Sequence, residues 1–289
     1  MLRILVCRPN PVTRFIGAAL GAWALSAAAY AQTVFLSAGA NAAAITPTVD
    51  AFRSTLGTLN PNTAGSFASG RREINWDGVP DAFAAPNLLP ANFFNVNSPR
   101  GVVFATPGSG FAVSANAANV TGTATQFGNI DPNYSTFFEP FSAQRLFTAI
   151  GSNIVDVSFF VPGGNLSALT RGFGVVFSDV DLANTTSLSF FDQGNALLGT
   201  YFATPSGGNE GFSFLGVDFG ATSVARVRIT SGDQFLAPGN TALDSVVMDD
   251  FIYGEPMLVA VVPEPGTYVL MFAGLGLLLA RRRRRDARA

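Results

Sequence analysis

The stretch ARVRIT at residues 225–230 alternates apolar and polar side chains without a break. In an extended chain successive side chains point to opposite faces, so Ala225, Val227 and Ile229 share one side while Arg226, Arg228 and Thr230 share the other. One face is set against a core and the other against water, as in an antiparallel sheet covered on one side. Working outward, short apolar runs bounded by turn residues predict further strands over 101–106, 154–161, 172–177, 187–191, 197–202, 212–219 and 246–253. FFDQGNALLG at 190–199 reads as a hairpin, because Gln193-Gly194-Asn195 supplies residues that tolerate positive φ.

The chain has 289 residues, 48% of them apolar and 27 of them phenylalanine, enough to bury one sizeable core. Thirty glycines and 17 prolines favour many short strands joined by turns over long helices. The expected fold is all-β, a single antiparallel β-sandwich of jelly-roll type, with a short N-terminal helix and a C-terminal transmembrane sorting helix. That short helix is expected in ITPTVDAFRSTLG (45–57), with Thr46 as cap, Pro47 in the first turn and Val49, Phe52 and Leu56 on one face. Prolines at 80, 86 and 90 exclude long elements from 70–95, which reads as an ordered loop covering a sheet.

Charge is distributed unevenly. Between Gln32 and Val262, 8 arginines face 17 Asp and Glu, leaving −9, while both ends are basic. A body without a basic stripe gains nothing from phosphate contacts, so nucleic acid is not an expected partner. The chain has no histidine and no lysine, and its single cysteine is Cys7. Beyond the first thirty or so residues, Ser-His-Asp triads, Cys-His pairs, Schiff-base lysines and histidine-bound zinc are excluded.

The ends read as addresses. Arg3, Arg8 and Arg14 precede an apolar run from Phe15 to Ala29, and Ala29-Tyr30-Ala31 stands ahead of Gln32. This is the layout of a secretory signal peptide, so residues 1–31 are expected to be removed by signal peptidase. At the far end, VPEPGTYVLMFAGLGLLLARRRRR (262–285) holds Pro263-Glu264-Pro265, an apolar run from Gly266 to Ala280, and Arg281, Arg282, Arg283, Arg284 and Arg285. Fifteen apolar residues span roughly 22 Å as a helix against a hydrocarbon core of ~30 Å, which is short for a permanent anchor. The arginine block would stay on the cytoplasmic side as a membrane stop.

These three parts, in this order, resemble the PEP-CTERM sorting signal of Gram-negative bacteria, with Gly266 where Ser or Thr is more usual. The resemblance implies exosortase as a partner, a transient stay in the inner membrane, cleavage near Pro263-Glu264-Pro265, and release to the cell surface or an exopolysaccharide matrix. It divides the chain into a signal peptide (1–31), an extracellular sandwich (32–255), a linker (256–262) and a sorting signal (263–289). GRREINWDG (70–78), FGVVFSDVDLANTTSLSFFD (173–192) and VVMDDFIYGEP (246–256) also resemble secreted proteins that carry such tails, which implies the architecture and no particular activity.

Carboxylates, tyrosines and arginines remain for chemistry. Glu73, Asp77, Asp179 and Asp181 are the acids from which a glycoside hydrolase pair would have to come, although each equally suits a turn. Asp179, Asp181, Asp249 and Asp250 are candidate ligands for calcium, since Asp249-Asp250 interrupts an apolar strand where bare charge is costly. Against this, no EF-hand loop is present, and aspartates also bond turn amides. Glu73, Trp76 and Asp77 form a candidate polysaccharide site, with Trp76 either stacking on a sugar ring or plugging the core under a loop. The expected function is a non-catalytic binding or structural module, with a calcium-dependent carbohydrate-binding module or a carboxylate-dependent hydrolase as alternatives.

Overall fold

A computed structural model describes residues 32–258 and 265–286. The signal peptide reading and residues Pro263 and Glu264 of the sorting motif lie outside the described residues. In chain order the elements are β1 (Thr33–Gly39), α1 (Ala42–Leu56), β2 (Arg71–Ile74), α2 (Phe93–Val96), β3 (Val102–Ala105), β4 (Gly110–Val113), β5 (Phe147–Ile150), β6 (Ile154–Phe159), β7 (Gly172–Ser178), β8 (Ser187–Phe191), β9 (Leu197–Phe202), β10 (Phe212–Asp218), β11 (Arg226–Thr230), β12 (Val247–Gly254) and α3 (Pro265–Asp286).

The strands form two antiparallel sheets. One runs β1-β10-β7-β12-β5-β4, with β2 also paired to β12, and the other runs β3-β6-β11-β8-β9. Strand β11 behaves as its alternation dictates: Val227 and Ile229 are sealed in the core, while Arg226 and Arg228 both bind Asp156 of β6 on the outer face. Phe104, Val157, Phe190 and Val227 from the five-stranded sheet pack with Phe173, Val175, Leu215 and Phe251 from the other, which makes the pair a β-sandwich. The β8–β9 hairpin is present, with Asn195 at φ 62° and Asp192 Oδ1 accepting from the Ala196 N–H at 2.8 Å.

The seven-stranded sheet is covered on both faces. Ile45, Val49, Phe52 and Leu56 of α1 pack on Val176, Phe214 and Ile252, and a second outer cluster around Phe127, Tyr134 and Phe138 covers Val247. This explains why β7, β10 and β12 are buried at every position instead of alternating.

Helix α1 begins a turn earlier than expected. Asn41 caps it, accepting from the Ala44 N–H at 3.2 Å, and the good helix-forming run Ala42–Ala44 extends it back past Thr46. Pro47 therefore lies inside the helix rather than at its start. Between 70 and 95 the expected loop also contains β2 and the single turn of α2.

The expected transmembrane helix is not shown among the described residues. Helix α3 exists, but arginines make up its last turns, and no helix among the described residues is long and apolar enough to cross a membrane.

Candidate binding cleft

One strand irregularity organises the acidic residues. On β12, Met248 pairs with Phe177 and Phe251 with Val175, so Asp249 and Asp250 together oppose the single residue Val176. Such a bulge turns two consecutive side chains to one face while Met248 and Phe251 stay in the core. It falls where the other edge of β12 passes from β5, paired at Met248, to β2, paired from Phe251. Both carboxylates are thereby delivered to the outer face.

Each finds partners there. Asp249 accepts from the N–H of Phe141 at 2.6 Å and of Ser142 at 3.2 Å, and from Ser142 Oγ at 3.0 Å. Burial, with the neighbouring Asp250, holds its pKa well above the usual carboxylate range. Asp250 accepts from Ser142 Oγ at 2.9 Å and from Arg53 Nη2 at 2.8 Å; burial raises its pKa too, against those two partners. Arg53 reaches from α1 to Glu73 as well, at 3.2 Å, and Arg71 Nε binds the same carboxylate at 2.6 Å. Glu73 and Asp250 are thus brought together through one guanidinium.

The four aspartates considered for calcium do not meet. Strands β7 and β12 are neighbours, but Asp249 and Asp250 sit at mid-strand while Asp179 and Asp181 lie beyond the end of β7. Among the described residues no three His, Cys, Asp or Glu side chains are grouped so as to hold a metal ion. Asp179 is buried at φ 71° with Oδ1 unpartnered, and burial, reinforced by Asp181, Asp244 and Glu210, pushes its pKa up to about 7. Asp181 offers its N–H to Asp244 Oδ1 at 2.8 Å.

Trp76 is packed into the core and also borders the first cavity described below. It is 1% exposed, lies flat on Phe147 with ring centroids 4.0 Å apart, meets Phe94 and Phe251 edge-on, and donates from Nε1 to the Asp249 carbonyl at 2.7 Å. The plug reading of this residue is the one the packing favours. Asp77, next to it, is half-buried and placed beside Arg145; burial raises its pKa and Arg145 opposes the rise.

Two cavities open on either side of Asn75 and Arg100. The first, about 330 Å³, lies between the 75–83 turn and α2, walled by Phe83, Phe93 and Phe94 with Asn97 and Ser98 at its polar side. The second, about 340 Å³, holds Arg53, Glu73, Ser142 and Asp250 with Asn60 and Asn62. The sequence pointed to Glu73, Asn75 and Asp250 but not to Arg53, Arg100 or Ser142, because three separate segments supply them.

The comparisons bear on the end of the chain. The family model of the PEP-CTERM protein-sorting motif matches residues 261–285. The chain carries a PEP-CTERM protein-sorting motif, and the motif implies export and exosortase processing. No curated protein and no solved structure matches the chain.

Proposed function

We propose that the protein is a non-catalytic binding module, displayed at the cell surface or in the exopolysaccharide matrix after sorting, whose cleft at Asn75 and Arg100 engages polysaccharide. The observation that carries the reading is the sorting motif attached to a sandwich with a polar, half-open cleft. The strand order supports a jelly roll. Counting β5 as the first of eight strands, the two sheets read 6-3-8-1 (β10-β7-β12-β5) and 2-7-4-5 (β6-β11-β8-β9), the two interleaved Greek keys of that fold.

The absence of catalysis is argued from Arg53. A hydrolase needs its two carboxylates on opposite sides of the scissile bond, about 5–9.5 Å apart. Here the Arg53 guanidinium stands between Glu73 and Asp250 and pairs with each, taking the space a glycosidic oxygen would need. Incubating the purified protein with the producing organism's own exopolysaccharide tests the reading. Co-sedimentation with no change in polymer length is expected; release of reducing ends would replace the module with an enzyme, and no retention would remove the polysaccharide.

A further inference from the structure

Arg100 differs from every other arginine of the body. Of the 8 arginines between Gln32 and Val262, the other seven pair with a carboxylate, whereas Arg100 has no such partner among the described residues. Its Nη1 donates to Ser98 Oγ, and its Nε is buried without a partner. The guanidinium lies over the Phe94 ring, Cζ 5.0 Å from the centroid. Burial pulls its pKa down, as expected of a cation short of compensating charge, although an arginine remains protonated.

The position is rigidly built. The Arg100 N–H donates to the Phe94 carbonyl at 2.8 Å, and Tyr253 Oη donates to the Arg100 carbonyl at 3.0 Å. Gly101 follows at φ 78°, where a Cβ would stand 2.4 Å from the Phe160 carbonyl oxygen, so the turn presenting Arg100 admits only glycine. In a body of net charge −9, a fixed and uncompensated cation at a cavity wall selects for anions.

The first cavity has the composition of a ligand site: aromatic walls, two amides and a hydroxyl, one charge, and no carboxylate lining it. Its volume of about 330 Å³ matches a ligand of one or two rings rather than a free inorganic ion. A ring with an apolar face suits Phe83, Phe93 and Phe94, hydroxyls suit Asn75, Asn97 and Ser98, and a carboxylate suits the guanidinium.

We infer that this cavity is a subsite for a uronate-type sugar residue, whose carboxylate pairs with Arg100. The inference rests on the polysaccharide-binding reading and narrows it to acidic glycans. The test is titration calorimetry of the full chain with oligogalacturonate and with a neutral galactose oligomer of equal length. The acidic oligomer should bind at least ~10-fold tighter, the worth of one hydrogen-bonded charge. Arg100→Gln should bring the two to parity. Asn97→Asp, which adds a competing negative charge at an exposed position, should weaken only the acidic oligomer, and it decides the matter should the Arg100 variant not fold. Equal binding of both oligomers by the wild type, or unchanged selectivity in either folded variant, would overturn the inference and leave glycan binding standing. Binding of neither oligomer would overturn both readings. Polyglutamate binding as tightly as oligogalacturonate would show the site to be peptide-directed and overturn the sugar assignment.

Discussion

Arg72 and Glu255 face each other as a bidentate ion pair, Nε to Oε2 at 2.6 Å and Nη2 to Oε1 at 2.8 Å, with both side chains sealed from water. The pair joins β2 to the exit of β12 and fixes the cleft's surroundings. Arg72 also donates to the carbonyls of Pro61, Gly65 and Pro99, and Glu255 accepts from Asn60 Nδ2 at 2.8 Å. Removing one partner strands a buried charge, so Glu255→Ala is expected to cost about 3–5 kcal/mol. Urea denaturation checks this; a loss under ~1 kcal/mol would mean the pair behaves like a surface bridge.

Trp76 gives a spectroscopic prediction. With Trp23 removed in the signal peptide, it would be the sole tryptophan of the mature chain. Its emission should be that of an apolar site and resist acrylamide quenching. Trp76→Ala should cost about 3–5 kcal/mol by opening the core between Phe147 and Phe251. Strong quenching in the native protein would contradict the packing described above.

The stability of the fold should carry a pH signature from Asp179. Its folded pKa of about 7 stands above the ordinary carboxylate value, so the folded state holds the proton more tightly than the unfolded one. The contribution is complete below ~4, the unfolded value, and is lost as pH rises through ~7. Asp249 and Asp250 are shifted in the same direction. Asp179→Asn, which mimics the neutral acid, should therefore raise the melting temperature at pH 8 and matter little at pH 4. A variant less stable than wild type at pH 8 would contradict this reading of Asp179.

The eight strands expected from residues 101–253 are all present, because apolar runs between turn residues leave one extended solution. Strands β1, β2, β4 and β5 were not legible. GFAV and FTAI are four-residue pieces too short for a period to show, and TVFLSAG is an edge strand that leaves Val34 and Leu36 exposed. The cleft was half legible. Glu73 stood out beside Trp76 and Asp250 as an acid in an apolar strand, whereas Arg100 is significant only because it lacks a carboxylate partner among the described residues, which is a fact of tertiary packing. Trp76 was ambiguous for a similar reason: its polar neighbours suggested a surface, and its φ of 64° turns the ring inward.

Replacing Pro263, Glu264 and Pro265 with alanine should leave the protein uncleaved in the inner membrane fraction, since the matched motif is what exosortase processing requires. Normal delivery of that variant to the surface would mean another route handles the chain.

Intact mass spectrometry of the exported wild-type protein tests the account most directly, because one spectrum reads both ends. The account predicts a chain that begins at Gln32 and lacks the arginine block from Arg281 to Arg285, having been cut near Pro263-Glu264-Pro265. A surface protein that runs from Met1 or retains Ala289 would contradict it.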